Sequence, residues 1–110
     1  MVNTGRRWTI RDRYGNEICL TQERWEHITE SINHPEMLTC EQHLQETVQS
    51  GYRKQDRLNP QKYRYSKAFD DLVKDNTHIV AIVLFRFGEG EGGKPVPNNY
   101  IVTAYQKEIG

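Results

Sequence analysis

Two histidines near the first predicted helix are the residues best suited to acid–base chemistry. His27 lies in the sequence Trp25-Glu-His-Ile, and His34 begins the sequence His-Pro-Glu-Met. An imidazole with an unperturbed pKa near ~6.5 accepts and releases protons at neutral pH. On a helical wheel His27 falls roughly 130° from the centre of the apolar residues, so we expect it to point away from the core of its own helix. The alternative is that both are ordinary surface histidines. Their spacing matches no standard metal site.

Two hydroxyl groups form a second candidate site near the end of the chain. Thr103 and Tyr105 lie two residues apart in an apolar segment that reads as a strand, so their side chains point to the same side. Together their hydroxyls could bind one phosphate group. The alternative is that Tyr105 is a half-buried strand aromatic, which is the commoner role of tyrosine in sheets.

A basic segment between these two sites favours a nucleic-acid partner. Residues 51–67 carry six basic side chains and one acidic side chain, a net charge of +5, together with three tyrosines. Cations interleaved with aromatic rings suit a phosphate backbone with stackable bases. We therefore predict RNA contacts from four of the basic residues: Arg53, Lys54, Lys62 and Lys67. The alternative is a solvated strand face.

Other catalytic machinery is missing from the sequence. It has no Gly-rich phosphate loop before a helix, no Gly-x-Ser-x-Gly elbow and no clustered carboxylates for a two-metal nuclease or a glycosidase. The two cysteines, Cys19 and Cys40, do not have the Cys-x-x-Cys spacing of a metal site. We expect no metal and no cofactor.

The histidines depend on two predicted helices. A hairpin with alternating apolar residues precedes Thr21, which is expected to be the N-cap of the first helix. Trp25, Ile28 and Ile32 share one face of this helix, which should end near Ile32 because Pro35 follows. A second helix is predicted from Thr39 to Ser50, with a capping box formed by residues 39–42.

The hydroxyls and the basic residues depend on strands over residues 51–56, 61–69, 79–85 and 99–106. The third is apolar throughout, which predicts a central, buried position. Residues 88–97 are rich in glycine and proline, which predicts a long hairpin connection. Strand alternation puts Arg64 and Lys62 on one face and Tyr63, Tyr65 and Lys67 on the other. Which face meets RNA stays open, and we expect it to be the face of Arg64.

These elements predict an α+β fold for a single domain of residues 1–110. The predicted order is ββ-αα-ββββ, with two helices packed on one face of an antiparallel sheet of four to six strands. The other face is then available for binding. The formal net charge is zero, 27% of residues are charged and mean hydropathy is −0.86. No apolar run approaches the ~20 residues of a transmembrane helix and no signal-peptide core is visible, so we expect a cytoplasmic protein.

Several of these segments together resemble a known nuclease group. The matching segments are Ile18-Cys-Leu-Thr-Gln-Glu-Arg-Trp-Glu-His-Ile, His34-Pro-Glu-Met, Tyr63-Arg-Tyr and Ile101-Val-Thr-Ala-Tyr. Across about residues 17–107 the chain is similar to a phage- and toxin-associated family of the barnase–EndoU–colicin–RelE-like nuclease superfamily. The resemblance implies a metal-independent endoribonuclease, the toxin of a toxin–antitoxin or phage-conflict system, with RNA as substrate and an antitoxin protein as partner.

The resemblance also implies site residues. His27, His34, Thr103 and Tyr105 match the positions of family motifs, and Arg64 and Lys67 occupy the family's basic strand. The expected chemistry has His34 and His27 as the acid–base pair, Arg64 on the phosphate, and Thr103 and Tyr105 as hydrogen-bond donors. The products would carry a 2′,3′-cyclic phosphate and a 5′-hydroxyl. The alternative function is a catalytically inactive RNA- or protein-binding module of the same fold, either alone or as a subunit of a larger complex; the oligomeric state stays open.

Overall fold

The computed structural model describes residues 5–109 of the chain. Two strands come first, β1 (Arg6–Arg11) and β2 (Glu17–Thr21), followed by helix α1 (Gln22–Thr29), a 3-10 helix (Pro35–Thr39) and helix α2 (Glu41–Ser50). Six strands follow: β3 (Tyr52–Gln55), β4 (Lys62–Ala68), β5 (His78–Leu84), β6 (Phe87–Glu89), β7 (Pro95–Pro97) and β8 (Asn99–Lys107). No helix within residues 5–109 combines the length and the apolar character that crossing a membrane requires.

The main sheet has six strands in the order β1-β2-β8-β5-β4-β3. Every neighbouring pair is antiparallel except β2 and β8, which run parallel and place Ile18 opposite Asn99. The predicted α+β class is thereby confirmed. The segment predicted as a hairpin connection forms a separate ribbon of β6 and β7, in which Phe87 pairs with Pro97.

One face of the sheet carries the core. Ala81 of β5 is paired with Tyr65 on one side and Ala104 on the other, and all three are fully buried. They pack in one cluster with Ile28 of α1 and Leu44 of α2. The predicted central position of the apolar strand is correct, because β5 lies between β8 and β4. We call this side the core face.

We call the opposite side the open face, and it carries a row of residues that includes Arg64 and Thr103 of the candidate site. Because side chains alternate along a strand, the residues in register with Arg64 point away from Tyr65. Lys54 of β3 pairs with Arg64, Arg64 pairs with Ile82, and Ile82 pairs with Thr103. Four strands therefore contribute to one row across the open face.

Helix α1 is shorter than predicted. It ends at Thr29, and Ile32, which was expected on its buried face, is 84% exposed. The Asn33 side-chain amide donates to the His27 carbonyl at 2.9 Å, and the His34 N–H donates to the Ile28 carbonyl at 2.9 Å. These bonds satisfy carbonyls of the last turn and redirect the chain before Ile32 could join the helix.

The predicted capping box of the second helix is also wrong. Helix α2 begins at Glu41, and its N-cap is Cys40, without a side-chain capping bond. Thr39 instead closes the 3-10 helix, where its hydroxyl lies 3.5 Å from the Glu36 carbonyl. Pro35 favours the start of this 3-10 helix, and the burial of Met37 fixes it against the core. By contrast the predicted N-cap of α1 is confirmed, because Thr21 accepts the Arg24 N–H at 3.1 Å.

The β1–β2 turn contacts the far edge of the sheet. The fully buried carboxylate of Asp12 accepts the backbone N–H groups of Tyr14 at 2.9 Å and Asn16 at 2.8 Å. It also accepts the hydroxyl of Tyr65 in β4. The sheet therefore curves enough for the turn after its first strand to meet strands at the opposite end of the strand order.

Candidate functional site

His34 and Tyr105 meet beside the last strand. Their ring centroids are 5.5 Å apart and their planes are tilted by 34°. His34 is held by its own backbone, whose N–H donates to Ile28 and whose carbonyl accepts the Met37 N–H at 3.0 Å. The early end of α1 and the 3-10 helix that follows thus position the imidazole of His34 next to β8.

The His34 ring lies beside an acidic side chain. Its Nδ1 atom lies 3.6 Å from the Glu36 carboxylate, within ion-pair distance when the ring is protonated. The His34 side chain is 37% exposed, so the ring is accessible to a ligand. Because Nδ1 faces Glu36, Nε2 is the nitrogen available to exchange a proton with a ligand.

Arg64 and Thr103 share the open face with Tyr105. Tyr105 is paired with Val80, two residues along β5 from the Ile82 that separates Arg64 from Thr103. Neighbouring strands lie about 4.8 Å apart, so the backbones at Arg64 and Thr103 are about 10 Å apart. An extended arginine side chain spans much of that distance. A phosphate over Ile82 would have a guanidinium on one side and hydroxyls on the other.

His27 lies on the exposed side of α1. Its side chain is 57% exposed and its Nδ1 is 3.4 Å from the Glu30 carboxylate. It lines a shallow hollow on α1 with Glu23, Arg24 and Glu26. Within residues 5–109, no ring contact, ion pair or hydrogen bond joins His27 to His34 or Tyr105. The expected acid–base pair is therefore not brought together by any contact.

Arg53 faces the core side, unlike Arg64. Its guanidinium carbon is 4.2 Å from the Tyr14 ring centre and 4.5 Å from that of Tyr63. One guanidinium nitrogen donates to the Tyr65 hydroxyl at 3.4 Å and lies 3.9 Å from the Asp12 carboxylate. These aromatic and polar contacts tie β3 to the β1–β2 turn.

The other three predicted RNA contacts divide between the faces. Lys67 pairs with Ile79, a core residue, and so projects from the core face. Lys54 and Lys62 border the open face, where they line a groove with Arg64. Arg57, in the turn between β3 and β4, lines the same groove. Sequence reasoning did not assign Arg57 a role, and its only signal was its place in the basic segment.

No metal-binding group is found in the part of the chain that the structure describes: no three histidine, cysteine or acidic side chains there are arranged to hold an ion. The candidate site combines an imidazole, a phenol, an aliphatic hydroxyl and a guanidinium. Such groups supply proton transfer and charge stabilisation for phosphate chemistry. Comparisons with models of protein families, with curated proteins and with solved structures give no match for this chain.

Proposed function

We propose that the protein is a metal-independent endoribonuclease that cleaves RNA on its open face. The observation that carries the proposal is the contact between the His34 and Tyr105 rings beside the row that holds Arg64 and Thr103. Metal-free RNA cleavage needs a base for the 2′-hydroxyl, an acid for the leaving oxygen and donors for the charged phosphorane. These four side chains offer each of those chemical groups.

Each group has one role in the proposed reaction. His34 Nε2 takes the proton of the 2′-hydroxyl, and that oxygen attacks phosphorus while the bond to the 5′-oxygen breaks. Arg64 binds two phosphate oxygens through its planar guanidinium, and Thr103 donates a hydrogen bond to the same phosphate. The products are a 2′,3′-cyclic phosphate and a 5′-hydroxyl.

The proton for the leaving oxygen is assigned to Tyr105. Its ring contacts His34, whereas His27 has no contact with this group. The leaving 5′-alkoxide is a stronger base than a phenolate, so a phenol can protonate it in the transition state. This assignment differs from the acid–base pair of His34 and His27 expected from the sequence, and the His27→Ala variant separates the two.

The direct test is incubation of the purified protein with total RNA in EDTA. Wild type should yield fragments with cyclic phosphate ends, and His34→Ala should lower the rate by about 10²–10⁴, the usual contribution of a general base. The matched control is His78→Gln, since His78 Nδ1 bonds the Thr77 hydroxyl at 2.7 Å and has no part in the proposed reaction. Circular dichroism checks that each variant is folded.

Two results would reject the enzyme assignment. One is RNA left intact by wild type, and the other is equal cleavage by wild type and His34→Ala. RNA that is bound and left uncut would favour the non-catalytic binding module.

The proposed toxin role has its own test. Expression of wild type should arrest growth of a bacterial host, while His34→Ala should be tolerated at the same protein level. Equal tolerance of both proteins, with cleavage intact in vitro, would remove the toxin role and keep the nuclease.

A further inference from the structure

We propose that the groove on the open face beside the β3–β4 turn binds single-stranded RNA next to the cleaved phosphate. We call it the basic groove, and define it by four cationic residues: Lys54, Arg57, Lys62 and Arg64. The identity of the polymer rests on the proposed function. The groove itself extends that function to residues outside the catalytic group, namely Arg57 and Leu58.

Charge is the first argument. The basic groove is lined by four cations and one carboxylate, that of Asp56, so its net charge is +3. The carboxylate is largely engaged by its own turn, because one oxygen accepts the N–H groups of Leu58 at 2.8 Å and Asn59 at 3.0 Å. The other oxygen lies 4.0 Å from Lys62 Nζ. The groove therefore attracts a polyanion.

The spacing of the cations is the second argument. Lys62 and Arg64 are two residues apart on β4, about 6.7 Å along the strand. Lys54 lies directly across from Arg64 on β3. The cations thus form a track two strands wide that begins at the proposed phosphate site and leads to the β3–β4 turn. A track of this width fits the sugar-phosphate backbone of one RNA strand.

Apolar side chains along the track are the third argument. Leu58 is 96% exposed at the rim of the basic groove, and Ile82 lies in its wall next to Arg64. Apolar side chains reach the faces of bases only where the bases are unpaired, which is how single-stranded RNA is read. A duplex would present only its backbone to these residues.

The turn is built to hold Arg57 and Leu58 in place before RNA arrives. The Asp56 N–H donates to the Lys62 carbonyl and the Lys62 N–H donates to the Asn59 carbonyl, each at 2.9 Å. The Gln55 amide also donates to the Pro60 carbonyl at 2.8 Å. A preorganised turn lowers the entropy cost of ordering these side chains on binding.

Binding is tested without cleavage. The probe is a fluorescein-labelled eight-nucleotide 2′-O-methyl oligouridine, in which the blocked 2′-oxygen prevents attack on phosphorus. Fluorescence anisotropy is measured at several salt concentrations for wild type, Arg57→Gln and Leu58→Ser. The matched control is Lys74→Gln, an exposed cation in the loop at the opposite end of β4.

The two groove variants should fail in different ways. Arg57→Gln should lower the slope of log affinity against log salt by about 0.7, the release of counterions at one phosphate, and weaken binding about fivefold at 0.1 M salt. Leu58→Ser should weaken binding at all salt concentrations and leave the slope unchanged. Annealing the probe to its complement should weaken binding to wild type.

Three results would overturn the inference. They are absence of binding by wild type, groove variants that both match Lys74→Gln, and a duplex that binds as tightly as the single strand. Failure of the proposed function looks different: wild type then binds the probe with the expected variant pattern and leaves natural RNA uncut. If wild type cleaves RNA and the groove variants bind the probe as well as Lys74→Gln does, the basic groove is rejected as a binding site and the proposed nuclease function is kept.

Discussion

The imidazole of His34 lies against the phenol ring of Tyr105, with ring centroids 5.5 Å apart. The two side chains come from different kinds of structure. His34 belongs to the connection between α1 and α2, whereas Tyr105 belongs to a strand flanked in the sheet by β2 and β5. The contact therefore joins the helical layer to the open face, and substitutions on either side of it should separate the proposed roles.

Substitution of Tyr105 should separate its hydroxyl from its ring. Tyr105→Phe keeps the ring contact with His34 and removes the proton donor, so we expect cleavage to slow by about 10²–10⁴. The measurement is the initial rate on a defined RNA oligonucleotide. A Phe variant as active as wild type would show that only the ring matters.

A modified substrate checks the same assignment. RNA with sulfur in place of the 5′-bridging oxygen has a leaving group that needs no acid, so Tyr105→Phe should cleave it nearly as fast as wild type. His34→Ala should stay slow on that substrate because the base is still missing. If His27→Ala, and not Tyr105→Phe, is rescued by sulfur, the acid is His27.

Cleavage should depend on the planar shape of the Arg64 guanidinium as well as on its charge. Arg64→Gln should lower kcat/KM by about 10²–10³, the usual cost of one donor to a developing anion. Arg64→Lys should recover only part of this loss, because an ammonium cannot bind two phosphate oxygens in a planar fork. Since Lys67 projects from the core face, Lys67→Gln should have a much smaller effect. Equal losses would mean that RNA does not select the open face.

Glu41 should make the free energy of unfolding depend on pH in the acid range. Hydrogen bonds from Arg7, and a weaker contribution from the Trp8 indole at 2.9 Å, hold the pKa of Glu41 below its ordinary value. A lowered carboxyl pKa stabilises the fold above the unfolded-state pKa, and the effect is lost as pH falls through the folded-state pKa. Glu41→Gln should therefore lower the free energy of unfolding by about 1–3 kcal/mol at pH 7.

Urea denaturation across acid pH measures this dependence. The difference between wild type and Glu41→Gln should shrink as pH falls below the ordinary pKa of glutamate and through the lowered pKa of Glu41, since the wild-type carboxylate then becomes protonated. A difference that stays constant with pH would mean that packing, and not the charge of Glu41, stabilises the contact with Arg7.

Gly51 should tolerate no side chain. A Cβ atom there would lie 2.3 Å from the Thr47 carbonyl oxygen and 2.7 Å from that of Ser66, both backbone atoms. Gly51→Ala must push α2 away from β4, so we expect a loss of about 1–3 kcal/mol or more in unfolding free energy. Gly88→Ala is the matched control, since its Cβ would meet only the Asn98 Cβ at 3.7 Å. Equal thermal melting of both variants would contradict this close approach.

Tyr65 should contribute to stability through its hydroxyl. Burial, reinforced by the hydrogen bond to Asp12, raises the pKa of Tyr65, so the hydroxyl stays a hydrogen-bond donor at neutral pH. Tyr65→Phe should cost about 1–3 kcal/mol because it removes one donor from a buried carboxylate. RNA cleavage should be unaffected in the folded variant, since this hydroxyl lies on the core face. Loss of cleavage at full stability would place Tyr65 in the site.

Local patterns predicted the elements well where neighbours in sequence decide the structure. The alternation in β4, the apolar run of β5 and the Thr21 N-cap all depend on adjacent residues, and the structure has each of them. The end of α1 depends on bonds from Asn33 and His34, residues beyond the predicted end of the helix that an argument from apolar periodicity does not consider. The capping box failed because Thr39 belongs to a 3-10 helix held by tertiary burial of Met37.

Long-range contacts explain what the sequence did not reveal about the site. Alternation separated Arg64 from the tyrosines, but it could not show which face is covered by helices. Burial of Asp12 against Tyr65 depends on curvature of the whole sheet. The catalytic roles of five residues stay predictions: His34, His27, Arg64, Thr103 and Tyr105. Their positions in the structure predict a different effect for the variant of each residue.

The position of β8 has a consequence during protein synthesis. This strand leaves the ribosome after the seven others, yet it fills the gap between β2 and β5 and pairs in parallel with residues near the beginning of the chain. Such non-local pairing forms slowly and late. Thr103 and Tyr105 both lie on β8, so the proposed site forms only after this last of the described strands has entered the sheet.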